Sequence, residues 1–268
     1  MIDHCGRSID YLRISITDRC NLRCVYCMPE GGVQSFRHED VLNYEEIVRV
    51  VRQAAALGVK HLRVTGGEPM ARKGCLELVD MLHHIPGIET IALTTNGLLL
   101  DGRIAEAKAK GLTSLNISMD SVDAEIFRTM TRGGDVHTVL RVIDEALAAG
   151  LKVKINAVPV RGMNDAGLTQ VAELARTRPI CVRFIELMPL GCGKGLAPIP
   201  TDEMMARMEA AFGAMAADTG NAPPWTRCSF PSAASSRRSR RMESSETLNR
   251  WLSSPDITCF SSVRIWRI

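Results

Sequence analysis

The sequence predicts an α/β protein built on parallel strands, and three observations carry that expectation. Short apolar runs alternate with stretches of helical period, six times in series. Glycines stand where the helical stretches stop, at Gly58, Gly111 and Gly150. Glycine pairs, hydroxyls, amides and carboxylates gather where the strands end. Each crossover between parallel strands needs a helix of this length. Six units fall short of an eight-stranded barrel. A doubly wound open sheet and a partial barrel both fit the count, and in either one ligands bind at the C-terminal strand ends.

The elements follow in order. Residues 12–17 form a short apolar strand that runs into a cysteine-bearing loop. Ile47, Val48, Val51, Ala54 and Ala55 recur at helical spacing over 44–57, and Gly58 supplies the stop. Residues 61–65 are a strand, followed at once by Gly66-Gly67-Glu68-Pro69. A helix over 75–85, a strand over 88–95, a helix over 101–110 and a strand over 112–118 come next. Then come a helix over 136–149, a strand over 151–158, a helix over 166–177 and a strand over 180–187. A helix over 201–212 closes the series, with Thr201 as its expected N-cap.

Composition narrows the class. Hydrophobic residues make up 46% and charged residues 24%, ordinary for a globular enzyme. No apolar run approaches the roughly 20 residues that span a bilayer, so no membrane partner is expected. The start, Met1-Ile2-Asp3-His4-Cys5-Gly6-Arg7, lacks the pattern of a signal peptide. Nine cysteines, an odd and unevenly spaced set, favour metal or redox use in a reducing cytoplasm over a disulfide framework. The net charge of +3 is uneven: residues 222–268 hold eight Arg against three acids, a charge of +5 that leaves −2 for residues 1–221. That balance excludes a basic nucleic-acid binder for the main body. The later segment also holds 11 Ser, all three Trp and the run Ser235-Ser236-Arg237-Arg238-Ser239-Arg240-Arg241. The chain therefore divides into a body at 1–221 and an irregular Ser/Arg-rich tail at 222–268.

Cys20, Cys24 and Cys27 stand in a C-x3-C-x2-C triplet. A four-iron cluster takes one ligand per iron, so three thiolates leave one iron open. Structural zinc wants four ligands, and a zinc knuckle would need a distant fourth such as His38 or Cys5. Gly66-Gly67-Glu68-Pro69 is either a tight turn or a place where backbone nears a ligand beside an acid suited to an ammonium. Arg13, Arg63 and Lys154 lie on strands, where a cation needs a partner. They either pair with strand-end acids or line one cavity suited to a polyanion such as a triphosphate. Gly191-Cys192-Gly193-Lys194-Gly195 lacks the Ser or Thr of a phosphate loop and reads as a flexible loop. Met188 on composition alone reads as core.

Taken together these residues resemble the radical S-adenosylmethionine superfamily and, within it, the GTP 3',8-cyclase family of molybdenum cofactor biosynthesis. The carrying runs are residues 11–29 around the cysteine triplet, Arg63-Val64-Thr65-Gly66-Gly67-Glu68-Pro69, Thr94-Thr95-Asn96-Gly97, Asn116-Ile117-Ser118-Met119-Asp120-Ser121, Lys154-Ile155-Asn156 and Arg183-Phe184-Ile185-Glu186-Leu187-Met188. The resemblance implies a partial (β/α)6 barrel of the triosephosphate-isomerase kind. It implies that Cys20, Cys24 and Cys27 hold a [4Fe-4S] cluster whose open iron takes S-adenosylmethionine. It implies S-adenosylmethionine contacts at Tyr26, Gly67, Ser118 and Met188, and GTP contacts at Arg13, Arg63, Thr94 and Lys154. The implied reaction is a lyase step. A 5'-deoxyadenosyl radical takes the C3' hydrogen of GTP, and closure onto C8 gives (8S)-3',8-cyclo-7,8-dihydroguanosine 5'-triphosphate. No catalytic side chain beyond the cluster ligands is implied. Implied partners are an electron donor, cyclic pyranopterin monophosphate synthase downstream, and a second copy in a homodimer.

The tail departs from that pattern. The family carries a second [4Fe-4S] cluster held by C-x2-C and a later cysteine, whereas this chain has only Cys228 and Cys259 beyond Cys192. The departure suggests a frameshift or a truncated, divergent copy, impaired in cyclisation. The alternatives are another radical S-adenosylmethionine enzyme with one cluster, and a non-catalytic zinc-binding module.

Overall fold

A computed structural model describes residues 8–33, 36–214, 216–218 and 227–229. Six parallel strands form one sheet: β1 (Tyr11–Ser15), β2 (His61–Thr65), β3 (Thr90–Thr95), β4 (Ser114–Ser118), β5 (Lys152–Ala157) and β6 (Cys181–Phe184). Their spatial order is their sequence order. A doubly wound sheet reverses its order at a switch point. The unbroken order has none, which leaves the open partial (β/α)6 barrel.

The crossovers are α1 (Tyr44–Ala56), α2 (Cys75–His83), α3 (Ile104–Ala109), α4 (Ala124–Thr131), α5 (Val136–Ala148) and α6 (Leu168–Thr177), with α7 (Thr201–Phe212) after β6. Side chains alternate across a strand. One parity puts Leu62, Val64, Leu93, Leu115, Ile117, Ile155 and Val182 into a single core with the helices. Each such side chain contributes about 1.5–3 kcal/mol on burial. The other parity is polar, and it carries Arg13, Arg63, Thr94, Asn116, Ser118, Lys154, Asn156 and Arg183. Register then sets Arg13 beside Arg63, Asn116 beside Lys154 and Asn156 beside Arg183.

Several local expectations shift. Between β4 and β5 the chain makes two helices, and α4 opens on Asp123, whose carboxylate accepts from the N–H groups of Glu125 and Ile126. Pro200, not Thr201, holds the N-cap place of α7, and the Thr201 hydroxyl donates to Glu186 instead, at 3.0 Å. The strand expected over 180–187 ends at Phe184. Residues Gly191–Gly195 form a 3-10 turn with a buried Gly193, not a loose loop; a Cβ there would meet the Met188 carbonyl at 2.5 Å. A two-stranded antiparallel sheet pairs β7 (Ala216–Asp218) with β8 (Arg227–Ser229), on either side of the expected division at 221. The rest of the tail lies outside the described residues. Among the described residues no helix is long and apolar enough to cross a membrane.

Candidate functional site

The cysteine loop leaves the C-terminal end of β1 and is fixed from three sides. Its first contact is the glycine pair after β2. The Gly67 N–H donates to the Thr17 carbonyl and the Glu68 N–H to the Arg19 carbonyl, both at 2.7 Å. A Cβ on Gly67 would lie 2.4 Å from the Arg19 oxygen, and one on Gly66 would lie 2.5 Å from the Thr17 oxygen. The pair therefore admits the cysteine loop's own backbone. Glu68 is buried and fully used: its carboxylate accepts from Met70 N–H at 3.0 Å, the Thr95 hydroxyl at 2.8 Å and Asn96 N–H at 2.7 Å. It pins the end of β2 to the end of β3. Burial raises its pKa, and those donors pull it back down.

The second contact is α4. Met130 and Thr131, in its last turn, accept from the Val25 and Arg23 N–H groups at 2.9 and 3.1 Å. The third is a buried polar chain. The Tyr26 hydroxyl donates to Asp120 at 2.7 Å, and the same carboxylate accepts from Val158 N–H at 2.8 Å. Asn164 donates to the Asp120 and Val158 carbonyls and accepts from Val160 N–H. Asp120 is only 2% exposed, and burial lifts its pKa to about 6 against those two hydrogen bonds. Burial and the nearby Asp120 charge hold the Tyr26 phenol well above its ordinary value.

The three thiols suit a shared cationic group. Leu22 N–H donates to Cys20 Sγ at 3.4 Å, and Asn96 Nδ2 lies 4.0 Å from the same sulfur. Burial, then the fields of Asp120, Cys27 and Cys20, push the Cys24 thiol up to about 12. Burial raises Cys20 and Cys27 too, and Cys20 and Cys192 add to the rise at Cys27. Thiols that oppose each other's ionisation are stabilised as thiolates when iron joins them. Among the described residues no three His, Cys, Asp or Glu side chains close on one metal ion. The suggested fourth zinc ligands, Cys5 and the His38 side chain, lie outside the described residues.

The polar face of the sheet forms the floor beside this loop. Among the described residues four buried side-chain atoms lack a partner: Arg63 Nε, Thr94 Oγ1, Asn156 Oδ1 and Arg183 Nε. All four belong to this one face. Arg13, Arg63 and Arg183 make no ion pair with a carboxylate among the described residues. Burial and mutual repulsion lower the pKa of Arg63, and that of Arg183 to about 10. The Arg63 guanidinium stands 5.3 Å over the Tyr11 ring, and Arg183 donates to Asn116 at 2.6 Å. Buried polar atoms of native proteins normally have partners. Their concentration here marks a floor shaped for an anionic, hydrogen-bonding ligand.

The four residues expected to contact S-adenosylmethionine stand at or beyond the C-terminal strand ends, whereas Arg13, Arg63 and Lys154 sit mid-strand on the polar face, with Arg13 exposed. Tyr26 lies in the cysteine loop, Gly67 is exposed at the end of β2, and Ser118 ends β4. Met188 is 45% exposed beyond β6, a position that fits a rim contact better than core. Arg183 and Asn156 were not singled out as ligands from sequence, although their strand parity matches that of Lys154. Asn164 gave no signal, since its partners are backbone groups.

Comparison with known proteins bears on the family and the fold. The Radical SAM superfamily profile matches residues 14–175. A GTP 3',8-cyclase of Pelotomaculum thermopropionicum is 50% identical over 217 residues, covering 80% of this chain and 67% of the relative. One from Clostridium botulinum is 47% identical over 197 residues, covering 73% and 62%. One from Moorella thermoacetica is 47% identical over 215 residues, covering 79% and 67%. The chain thus spans between three-fifths and two-thirds of the length of these curated relatives. Among solved structures, Streptococcus suis SuiB bound to S-adenosylmethionine superposes with a TM-score of 0.63 at 17% identity, over 75% of this chain and 46% of that one. Methylornithine synthase (PylB) gives 0.55 at 19%, over 67% and 53%. These two likenesses concern the fold. The family is shown by the profile and the curated relatives: the chain belongs to the radical SAM superfamily, in its GTP 3',8-cyclase branch.

Proposed function

We propose that this chain carries out the radical chemistry of a GTP 3',8-cyclase. Cys20, Cys24 and Cys27 hold a [4Fe-4S] cluster, and S-adenosylmethionine lies against Tyr26, Gly67, Ser118 and Met188. GTP enters over the polar floor, its triphosphate toward Arg13, Arg63 and Lys154 and its hydroxyl contacts near Thr94, with Arg183 as a further cation. The carrying observation is the floor itself: a buried Arg183 and a half-buried Arg63 without carboxylate partners among the described residues, beside orphaned hydrogen-bonding atoms and close to the loop that carries three thiols.

When bound, the cluster supplies one electron for cleaving S-adenosylmethionine, the chemistry through which GTP becomes (8S)-3',8-cyclo-7,8-dihydroguanosine 5'-triphosphate. The protein's share is placement. Guanidiniums held at low dielectric bind phosphate oxygens more strongly than exposed ones would. The Glu68 and Asp120 links fix the loop, so the reacting groups start close and oriented. The reading carries with it an electron donor, cyclic pyranopterin monophosphate synthase as consumer of the product, a homodimer and a cytoplasmic location. No C-x2-C follows Cys192, and the Cys228 side chain and Cys259 lie outside the described residues, so a second cluster is not assigned to this chain.

Anaerobic reconstitution with iron and sulfide tests the proposal. The expected result is about four irons per chain, cleavage of S-adenosylmethionine, GTP binding, and little cyclised product without a second cluster. Zinc uptake without iron would overturn it in favour of a structural module. Cleavage with no affinity for GTP would leave a different single-cluster enzyme of the superfamily.

A further inference from the structure

Arg132 is the one non-glycine residue with positive φ among the described residues, at φ 53° and ψ 51°. It closes α4 in the left-handed region, a conformation that glycine meets freely and a residue with a Cβ does not. The strain is local, since two glycines, Gly133 and Gly134, follow immediately. What Arg132 has that glycine lacks is its side chain. One guanidinium nitrogen, Nη1, donates to the Arg23 carbonyl and to the Met28 carbonyl, each at 3.0 Å. Those two carbonyls flank Cys24 and Cys27 in sequence. The residue just before it, Thr131, accepts from Arg23 N–H, and Met130 accepts from Val25 N–H. The end of α4 therefore holds the cysteine loop by backbone at one stretch and by guanidinium at both ends of the two-cysteine turn. Strained backbone persists where the surroundings over-determine it, and it concentrates at functional sites.

We propose that Arg132 is a positioning residue for the cluster: its guanidinium bridges the Arg23 and Met28 carbonyls so that Cys24 and Cys27 stand ready before iron arrives. Both bonds are exposed, so the arginine adds little to the stability of the fold as a whole. Its effect is on how long the loop keeps one shape, and hence on how firmly the thiols keep their irons.

The inference rests on the cluster reading above, and the experiment separates the two. Full-length wild type, Arg132→Gly and Arg132→Lys are reconstituted anaerobically, and iron loss to a ferrous chelator is followed by absorbance. Thermal unfolding of the three iron-free proteins is recorded alongside. Arg132→Gly relieves the backbone while removing the bridge. It is expected to melt at or above the wild-type temperature yet release iron several-fold faster. Arg132→Lys, which keeps a multi-donor cation, is expected to retain iron close to wild type. Equal release from wild type and Arg132→Gly overturns the clamp and leaves the cluster reading standing. Faster release joined to a lowered melting temperature also overturns it, by making the arginine a general fold contact. A wild type that takes up no iron sinks the cluster reading itself, and the clamp with it.

Discussion

Replacing Gly67 with alanine adds one methyl group at the tightest backbone contact of the site. The new Cβ would stand 2.4 Å from the Arg19 carbonyl oxygen and 2.7 Å from that of Asp18, both backbone atoms with no rotamer to escape into. Restoring ordinary contact of about 3.4 Å requires the loop to retreat by about 1 Å. That retreat stretches the 2.7 Å bonds from Gly67 N–H to Thr17 and from Glu68 N–H to Arg19. Each is worth about 1 kcal/mol, and overpacking adds about 1–3 kcal/mol, so about 3–5 kcal/mol of stability is at stake. The next residue after Arg19 is Cys20. A shift of this size at a reacting group costs on the order of 100-fold in rate. Urea unfolding of the iron-free protein measures the first effect, and S-adenosylmethionine cleavage by the reconstituted protein measures the second. A Gly67→Ala protein that unfolds at the wild-type midpoint and cleaves at the wild-type rate would refute the claim that the glycine pair exists to admit the cysteine loop.

Other perturbations separate binding from stability. Arg63→Met removes a half-buried guanidinium that has no carboxylate partner among the described residues, so the iron-free protein is expected to melt higher. The same variant is expected to bind GTP about 10- to 100-fold more weakly, matching the loss of about 1.5–3 kcal/mol for a charged hydrogen bond; isothermal titration with unchanged affinity would sink the phosphate role. Asp120 gives a pH test. Its folded pKa of about 6 lies above the reference value of 3.8, so between these values the folded chain holds the extra proton and stability falls as pH rises. The loss amounts to about 3 kcal/mol at most by pH 7. Asp120→Asn removes that slope: urea midpoints of variant and wild type, compared at pH 4 and pH 7, should move in the variant's favour at the higher pH, and parallel curves would count against the assignment.

The fold was legible where one physical signal acted alone. β2 was read at its observed bounds, because His61–Thr65 is a short run closed by Gly66. Strand parity put Arg13, Arg63 and Lys154 on one face, as read; Arg63 and Lys154 are half-buried there, whereas Arg13, on the edge strand, is exposed. α4 went unread although Asp123 caps it and Ile126, Phe127 and Met130 share a face. Only four residues separate its last residue from the first of the longer α5, and a single crossover already satisfied the parallel-strand pattern. Thr201 misled because a hydroxyl at a helix start is usually a cap, whereas here Glu186 competes for it. The Tyr26–Asp120 link spans 94 residues, and Asn164 reaches Asp120 across 44. Such pairings depend on where strands come together, which local propensity does not encode.

The cysteine loop is synthesised well before its fastenings. Arg132 follows Arg23 by 109 residues and Met28 by 104. At 5–20 residues per second, translation leaves that loop without its α4 and Asp120 supports for roughly 5–20 s. Through that interval three thiols close in sequence are exposed to oxidants and to stray metal ions before the contacts that fix their loop exist. For such a chain the rate of elongation between residues 28 and 132 becomes a determinant of how much active enzyme a cell obtains. Slowing translation over that stretch should lower cluster occupancy without altering a single residue of the protein.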